Sequence, residues 1–281
     1  MLFAHIFRKG RPLGRQDLKI VGLLGCCLLV CLLPGVAAGQ ELRVAAAADL
    51  RFTFQEIAAR FQKETGHTVK LTFGSSGNFF SQIQNGAPFD VFFSADIDYP
   101  RRLETAGLAE EGSLSGYASG RIVVWTRKDS PIDVKKGLQA LLDPGVRKIA
   151  IANPEHAPYG QAAVAALQHE KIYEKVRDKF VLGENISQAA EFVESGNADI
   201  GILALSLALA PPLRDEGRYY QIAVSFYPAI DQAVVILKSS KEKDLAKQFL
   251  VFLKRPEIAE FMRNYGFNVP ESQPAQRKTN P

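Results

Sequence analysis

The sequence predicts an α/β protein of two domains, which hinge crossovers connect and an interdomain cleft separates. Short runs of β-forming residues alternate with segments whose apolar residues have helical spacing, an order typical of a mainly parallel sheet covered by helices. The length of 281 residues, including an N-terminal leader, fits two units of ordinary size. Two amphipathic segments close the chain as if it returned to the first unit. Two crossovers would then form the hinge, and the cleft would form a ligand site.

Residues 1–39 are predicted to be a signal peptide. Basic residues occupy its beginning, residues 20–33 are almost wholly apolar, and small residues follow, which is the order of a secretory leader. The apolar run of 14 residues is short for a membrane span of about 20, and an uncleaved anchor is the alternative. Residues 23–26 loosely resemble a lipoprotein cleavage box, but the small residues favour cleavage after Ala38 or Gly39. We therefore expect a periplasmic protein.

The leader also contains the three cysteines and the excess of positive charge. Because Cys26, Cys27 and Cys31 all lie there, the mature chain is expected to have no disulfide and no thiol chemistry. The leader carries five of the 34 basic residues and one of the 30 acidic residues, which leaves 29 of each sign. A net charge near zero gives no reason to expect nucleic acid as a partner. An anion-binding site would therefore depend on nearby donor groups and not on the overall charge of the protein.

The first predicted domain comprises residues 40–125 and 228–270. Its elements alternate from the start. They are a strand at 42–46, a helix at 50–63, a strand at 68–73, a helix at 79–84, a strand at 91–93 and a helix at 99–106. In the first of these helices Phe54, Ile57 and Phe61 recur at helical spacing and predict the face that packs on the sheet.

The second predicted domain comprises residues 126–227. The remaining elements are strands at 122–126 and 148–152, helices at 161–170 and 187–194, strands at 200–203, 222–226 and 233–237, and helices at 243–253 and 257–264. The last strand and the last two helices belong to the first domain, because the chain is expected to return there. Residues 271–281 are polar, and we expect a disordered tail.

Four strand-to-helix junctions are candidate anion-binding loops, two in each predicted domain. They lie at residues 46–50, 73–78, 153–160 and 183–187. In open α/β sheets ligands gather where strands end and helices begin, and a helix start offers unpaired N–H groups and a positive dipole end. Ser75 and Ser76 add hydroxyl donors, and Asp49 sits where a helix N-cap belongs. Each loop alone is an ordinary cap or turn, so the prediction rests on all four together.

Catalysis is not expected. Outside the leader the histidines are His67, His156 and His169, and only His156 is close to a candidate loop. A serine nucleophile at Ser75 or Ser76 would need a positioned base and acid. The sequence contains no nucleophile elbow, Walker loop or zinc-protease motif. We predict a protein that is not an enzyme and that has no cofactor.

Five segments resemble the periplasmic molybdate-binding proteins of ABC importers. They are residues 44–50, 74–77, 86–96, 153–160 and 265–267; the block from 86 to 96 and the proline-rich loop are the specific ones. The resemblance implies the type II periplasmic-binding-protein fold, with molybdate or tungstate bound in the cleft. It also implies a monomer that works with an ABC permease and its ATPase.

The resemblance also assigns the binding residues. In that family hydroxyl, amide and backbone N–H donors hold the oxyanion without a counter-charge. By position Ser76 matches a donor serine, and Tyr159 and Ile186 match backbone donors. The predicted ligand-binding residues are Ala48, Asp49, Ser75, Ser76, Tyr159 and Ile186. No metal cation is expected, since the oxyanion itself would contact Asp49, Ser76, Tyr159 and Ile186.

Two positions depart from the family pattern. Ala204 stands where some members donate a tyrosine hydroxyl, so that donor is lost or Tyr159 replaces it. Asp49 stands where the family usually has Ser or Asn, and an ionised carboxylate would repel a dianion. Asp49 could cap the helix and offer only its N–H, which we favour; it could be protonated; or the ligand could carry a proton that Asp49 accepts.

The sequence is also compatible with three other functions. The same fold could bind a protonated, phosphate-like oxyanion, with Asp49 as the acceptor. It could bind ferric iron through Tyr219 and Tyr220, although packing explains these tyrosines better. It could also serve as a sensory domain without transport.

Overall fold

The computed structural model describes residues 40–270, which form two five-stranded sheets with helices packed on them. The predicted signal peptide, residues 1–39, and the predicted tail, residues 271–281, lie outside the described residues. Between residues 40 and 270, none of the helices has both the length and the apolar character that a membrane crossing requires.

Ten strands occur in the described part of the chain. They are β1 (Glu41–Ala47), β2 (Thr68–Gly74), β3 (Val91–Ser94), β4 (Ser115–Gly120), β5 (Ile122–Arg127), β6 (Ile149–Ala152), β7 (Phe180–Gly183), β8 (Ile200–Ala204), β9 (Gly217–Gln221) and β10 (Ile230–Ile236). The α-helices are α1 (Arg51–Thr65), α2 (Ser76–Gln84), α3 (Asp98–Thr105), α4 (Pro158–His169), α5 (Tyr173–Val176), α6 (Ile186–Glu194), α7 (Leu205–Ala208), α8 (Pro211–Arg214), α9 (Lys243–Leu253) and α10 (Pro256–Asn264).

The two sheets have the same layout. The first has the order β2-β1-β3-β10-β4, with β1 parallel to β2 and β3 and with β10 antiparallel to β3 and β4. The second has the order β7-β6-β8-β5-β9, with β6 parallel to β7 and β8 and with β5 antiparallel to β8 and β9. We call each sheet with its helices a lobe. Three strands of each lobe therefore end at one edge, and helices begin there.

The chain crosses between the lobes twice, once at Arg121 and once between β9 and β10. The strand β5 lies wholly in the second sheet, where Ile122 pairs with Ala204, whereas the sequence prediction assigned most of it to the first domain. The predicted strand at 222–226 is wrong, because β9 ends at Gln221 and a 3-10 turn occupies Val224–Phe226. The strand β9 lies at the edge of the second sheet and is mostly exposed. It has no run of apolar residues, which is the pattern by which the sequence analysis recognised strands.

Three strands, β4, β7 and β9, were missed by the sequence prediction. The residues of β4, Ser-Gly-Tyr-Ala-Ser-Gly, are mostly small and have no β-branched side chain, so propensity alone does not mark a strand. The partner β10 supplies the hydrogen bonds, with a register shift at Gln232.

Aromatic packing joins the closing helices to the first lobe. Phe54 on α1 makes edge contacts with Phe93 on β3 at 4.8 Å and with Phe249 on α9 at 6.4 Å between ring centroids. Phe61, two turns further along the same face of α1, contacts Phe249 at 5.2 Å. The helical spacing of Phe54 and Phe61 therefore predicts the buried face of α1 correctly.

A buried carboxylate fixes the strand ends on the far side of this lobe. Asp90, with no exposed surface, precedes β3. Its Oδ2 accepts hydrogen bonds from the backbone N–H of Arg43 at 2.8 Å and from Arg43 Nε at 3.2 Å. Its Oδ1 accepts one from Ser240 Oγ at 2.9 Å. Asp90 thus connects β1, β3 and the segment before α9.

Replacing this carboxylate should destabilise the protein. In Asp90→Ala the buried N–H of Arg43 and the hydroxyl of Ser240 lose their acceptor, so we expect the free energy of unfolding to fall by about 2–4 kcal/mol. Urea denaturation followed by circular dichroism measures it. Asp98→Ala is the control, since the Asp98 side chain is 71% exposed and pairs only with Arg101. Equal stability of the two variants would contradict the role given to Asp90.

Candidate functional site

The four predicted loops meet around one small cavity between the lobes. The first lobe contributes Ala47, Ala48, Asp49, Gly74, Ser75, Ser76 and Ala95, and the second contributes Ala157, Pro158, Tyr159, Asn185 and Ile186. All six residues predicted from the sequence are among them. The enclosed space measures about 10 Å³, close to that of one water-sized sphere. No lysine or arginine side chain is among the described lining residues.

The first loop is tied to the second lobe by its backbone. After β1 the chain makes a 3-10 turn, Ala48–Leu50, and then enters α1. The carbonyl of Ala48 accepts a hydrogen bond from Ser187 Oγ at 2.9 Å, and the carbonyl of Asp49 accepts one from Ser206 Oγ at 2.8 Å. Two hydroxyl groups of the second lobe therefore hold this turn of the first lobe against the second lobe.

The side chain of Asp49 does not cap a helix, so the favoured prediction for it is wrong. Leu50 occupies the N-cap position of α1, and no side chain bonds there. Asp49 Oδ2 instead accepts hydrogen bonds from Tyr159 Oη at 2.8 Å and from Gln232 Nε2 at 2.7 Å. Its Oδ1 is buried and finds no hydrogen-bond partner among the residues that the structure describes. The carboxylate points away from the start of α1 because it bonds to Tyr159 and Gln232, which are distant in sequence, and not to the backbone N–H groups of the helix.

A chain of donors orients this carboxylate. Tyr117 on β4 donates to Gln232 Oε1 at 2.8 Å, which leaves the amide N–H groups of Gln232 to face Asp49 and Tyr159. Burial raises the pKa of Asp49 to about 6, although the hydrogen bonds from Gln232 and Tyr159 lower it. Burial, and then the negative charge of Asp49, raise the pKa of Tyr159 well above its ordinary value. Tyr159 is therefore a neutral donor.

The second loop provides the serines. Ser75 is the N-cap of α2, where its Oγ accepts from the N–H of Asn78 at 3.3 Å and lies 2.9 Å from His156 Nδ1 across the cleft. Ser76 Oγ accepts from the N–H of Ala95 at 2.9 Å. The hydroxyl hydrogen of Ser76 remains for a further acceptor, since a serine both donates and accepts.

Gly77 allows the lobes to approach each other. Its N–H donates to the carbonyl of His156 at 3.0 Å. A Cβ atom at Gly77 would lie 2.6 Å from that carbonyl oxygen and 2.8 Å from the hydroxyl of Tyr99. Any larger residue would therefore separate the second loop from the third.

The third and fourth loops present helix starts from the second lobe. Tyr159 is the second residue of α4, which begins at Pro158, and Ile186 is the first residue of α6. N–H groups at these positions have no acceptor within the helix. Asn185 caps α6 by accepting from the N–H groups of Ser187 and Gln188 at 3.0 and 3.2 Å. The N–H of Ile186 does not bond to this cap, so it is free to donate to a ligand in the cavity.

Sequence reasoning missed the residues that join the lobes. Gln232 and Ser206 lie outside the four predicted loops, whereas Ser187, Gly77, His156 and Glu184 lie within them but were not predicted to bridge the lobes. Gln232 leaves a weak signal in the sequence, because it is a polar residue directly before the apolar run that ends its strand. Ala204 is buried at the end of β8 and is not among the residues that line the cavity.

Tyr219 and Tyr220 are not arranged as a metal site. Both lie on β9 with 43% and 46% of their surface exposed, and adjacent strand residues point to opposite faces. Tyr220 packs beside Gly137. In the part of the chain that the structure describes, no group of three or more His, Cys, Asp or Glu residues is placed to hold a metal ion.

The fold and the cavity together define a class of protein: a two-lobe binding protein that encloses a small solute between its lobes. Residues 42–268 match the family model described as bacterial extracellular solute-binding protein, and the chain belongs to this family.

Proteins similar in sequence to this chain include molybdate-binding proteins. The molybdate-binding protein ModA of Rhodobacter capsulatus is 40% identical over 231 residues, which cover 82% of this chain and 89% of the relative. That of Azotobacter vinelandii is 38% identical over 251 residues, covering 89% and 97%. The solved structure of the Azotobacter vinelandii periplasmic molybdate-binding protein has a TM-score of 0.77 at 36% identity and covers 82% of this chain and 100% of that one.

Gly77→Ala should prevent the lobes from closing. The added methyl group would meet backbone on the second lobe, so we expect ligand affinity to fall at least about tenfold. Small-angle scattering with saturating ligand should show a larger radius of gyration than for the wild type. Gly116→Ala is the control, since a Cβ there meets nothing nearer than 3.8 Å. A Gly77→Ala protein as compact as the control would refute the closure argument.

Asp49→Asn should stabilise the ligand-free protein at neutral pH. The pKa of Asp49 rises from 3.8 to about 6 on folding, so the ionised form destabilises the fold, and stability is lost as pH rises through this window. The shift corresponds to about 3 kcal/mol. Urea denaturation should show the variant more stable than the wild type at about pH 7 and no such advantage at about pH 4. A variant equally stabilised or destabilised at both pH values would contradict the assignment.

Proposed function

We propose that this protein captures molybdate or tungstate in the cleft and delivers it to an ABC importer. The observation that carries the proposal is the meeting of four helix starts, two from each lobe, at one small buried cavity whose described lining has no cationic side chain. Such a site holds an anion by dipoles. The relatives that share at least 38% identity over most of the chain are named for binding molybdate.

The six predicted residues would hold the oxyanion as follows. The turn at Ala48 and Asp49 and the helix starts at Tyr159 and Ile186 would offer backbone N–H groups. Ser76 would donate its hydroxyl, and Ser75 would fix the start of α2. Closing the lobes removes water, which strengthens each of these hydrogen bonds.

The fixed separations of the loops would favour large tetrahedral oxyanions. Ser187, Ser206 and Gly77 hold the loops at fixed separations, and rigid donors cannot contract around the smaller sulfate without losing contacts. Discrimination would therefore come from distance, since all these anions carry the same charge.

The place of this protein in transport follows from the same proposal. Residues 1–39 would direct export, and the protein would act in the periplasm as a monomer. The closed form would dock on a permease that a cytoplasmic ATPase drives. The domains would be those predicted, with the crossover placed at Arg121.

Isothermal titration of the exported protein tests the assignment. Molybdate and tungstate should both bind, and sulfate should bind much more weakly. Ser76→Ala should weaken molybdate binding about 10- to 100-fold, because a donor to a charged acceptor is lost. Ser81→Ala is the matched control on the exposed face of the same helix.

Two outcomes would reject the proposal. One is the absence of heat with molybdate and tungstate while phosphate binds. The other is an equal loss of affinity in the Ser76 and Ser81 variants. Phosphate is the specific rival, because Oδ1 of Asp49, which has no hydrogen-bond partner between residues 40 and 270, could accept a hydrogen bond from a protonated anion.

A further inference from the structure

We infer that Asp49 becomes a neutral carboxylic acid when the oxyanion binds, so that the protein takes up about one proton with each dianion. The proton would reside on Oδ1 of Asp49, and this O–H would donate to an oxygen of the ligand. The inference rests on the proposed function, and it makes the acidic residue of the anion site one of the hydrogen-bond donors.

The hydrogen bonds leave one place for that proton. Asp49 Oδ2 already accepts from Tyr159 Oη and from Gln232 Nε2, and Tyr117 holds the amide of Gln232 in the donating orientation. Asp49 lines the cavity, and its Oδ1 is buried without a hydrogen-bond partner among the described residues. A protonated Oδ1 would gain this missing partner by donating to the bound oxyanion.

Among the residues that the structure describes, no positively charged group lowers the pKa of Asp49. The groups packed around it come from several elements: Tyr159 on α4, Tyr117 on β4, Gln232 on β10, Ser187 on α6 and Ser206 on α7. His156, which belongs to the third loop of the cleft, bonds to Ser75 and lies 3.8 Å from Glu184. A dianion would therefore repel the ionised carboxylate, and protonation of Asp49 would relieve this repulsion.

The affinity for the dianion should therefore depend on pH. The pKa of Asp49 in the ligand-free protein is about 6 because of burial, and a dianion nearby would raise it further. The bound state then holds more protons than the free state above about pH 6, so affinity falls as pH rises, by up to about tenfold per unit. Below about pH 6 the free protein is already protonated, and affinity becomes constant.

Titration calorimetry of the exported protein with sodium molybdate measures the proton directly. At about pH 7, the observed enthalpy is plotted against the ionisation enthalpy of several buffers, and the slope gives the protons taken up. We expect a slope close to one for the wild type, and a dissociation constant that rises between about pH 6 and about pH 8. Asp49→Asn should show a slope near zero, a constant affinity over this range, and binding at least as tight as the wild type at about pH 8.

Controls separate this inference from others. His156→Gln should keep the uptake of about one proton, whatever its affinity; loss of the uptake would assign the proton to His156 and overturn the inference. Infrared difference spectra of the wild type should show a carboxylic acid band that appears with molybdate, so the test does not depend on the folding of a variant.

Failure of the inference is distinguishable from failure of the proposed function. Binding of molybdate without proton uptake would overturn the inference and leave the function standing. The absence of molybdate binding at every pH would overturn the function, and the inference with it.

Discussion

A carboxylate buried between two lobes without a cation is the interaction on which the closed cleft depends. Asp49 accepts from Tyr159, which belongs to the second lobe, and from Gln232, which belongs to the first. The two hydroxyls that grip the backbone of the same turn also come from the second lobe. One short turn therefore gathers four hydrogen bonds, three of which cross the cleft, and the helix starts around it are held at fixed separations.

The contacts at the rim of the cleft are of a different kind. Arg51 pairs with Glu191 across the lobes at 2.6 Å, but both side chains are substantially exposed, and such pairs contribute little. Asn78 also bonds to Glu184 at this rim. Stability of the closed form therefore comes from the buried hydroxyl, amide and carboxylate groups, where loss of one partner leaves another unsatisfied.

Much of this arrangement could be predicted from the sequence, because strand-to-helix junctions are local features. The loops containing Ser75, Tyr159 and Ile186 were placed correctly at helix starts, and all of them line the cavity. The fate of the Asp49 side chain could not be predicted, since its partners lie 110 and 183 residues further along the chain. Strand β4 escaped because pairing with β10, and not its own small residues, makes it a strand. The limit of sequence reasoning here is the long-range hydrogen bond.

The side chain of Trp125, the single tryptophan of the sequence, is wholly buried in β5 of the second lobe. Its indole Nε1 has no hydrogen-bond partner in the described part of the chain, and the ring lies within the hydrophobic core. Ultraviolet emission excited at this one ring would therefore be short in wavelength and would report on the interior of a single lobe. The molecule thus carries a built-in optical probe that separates melting of the second lobe from the hinge movement that encloses a solute.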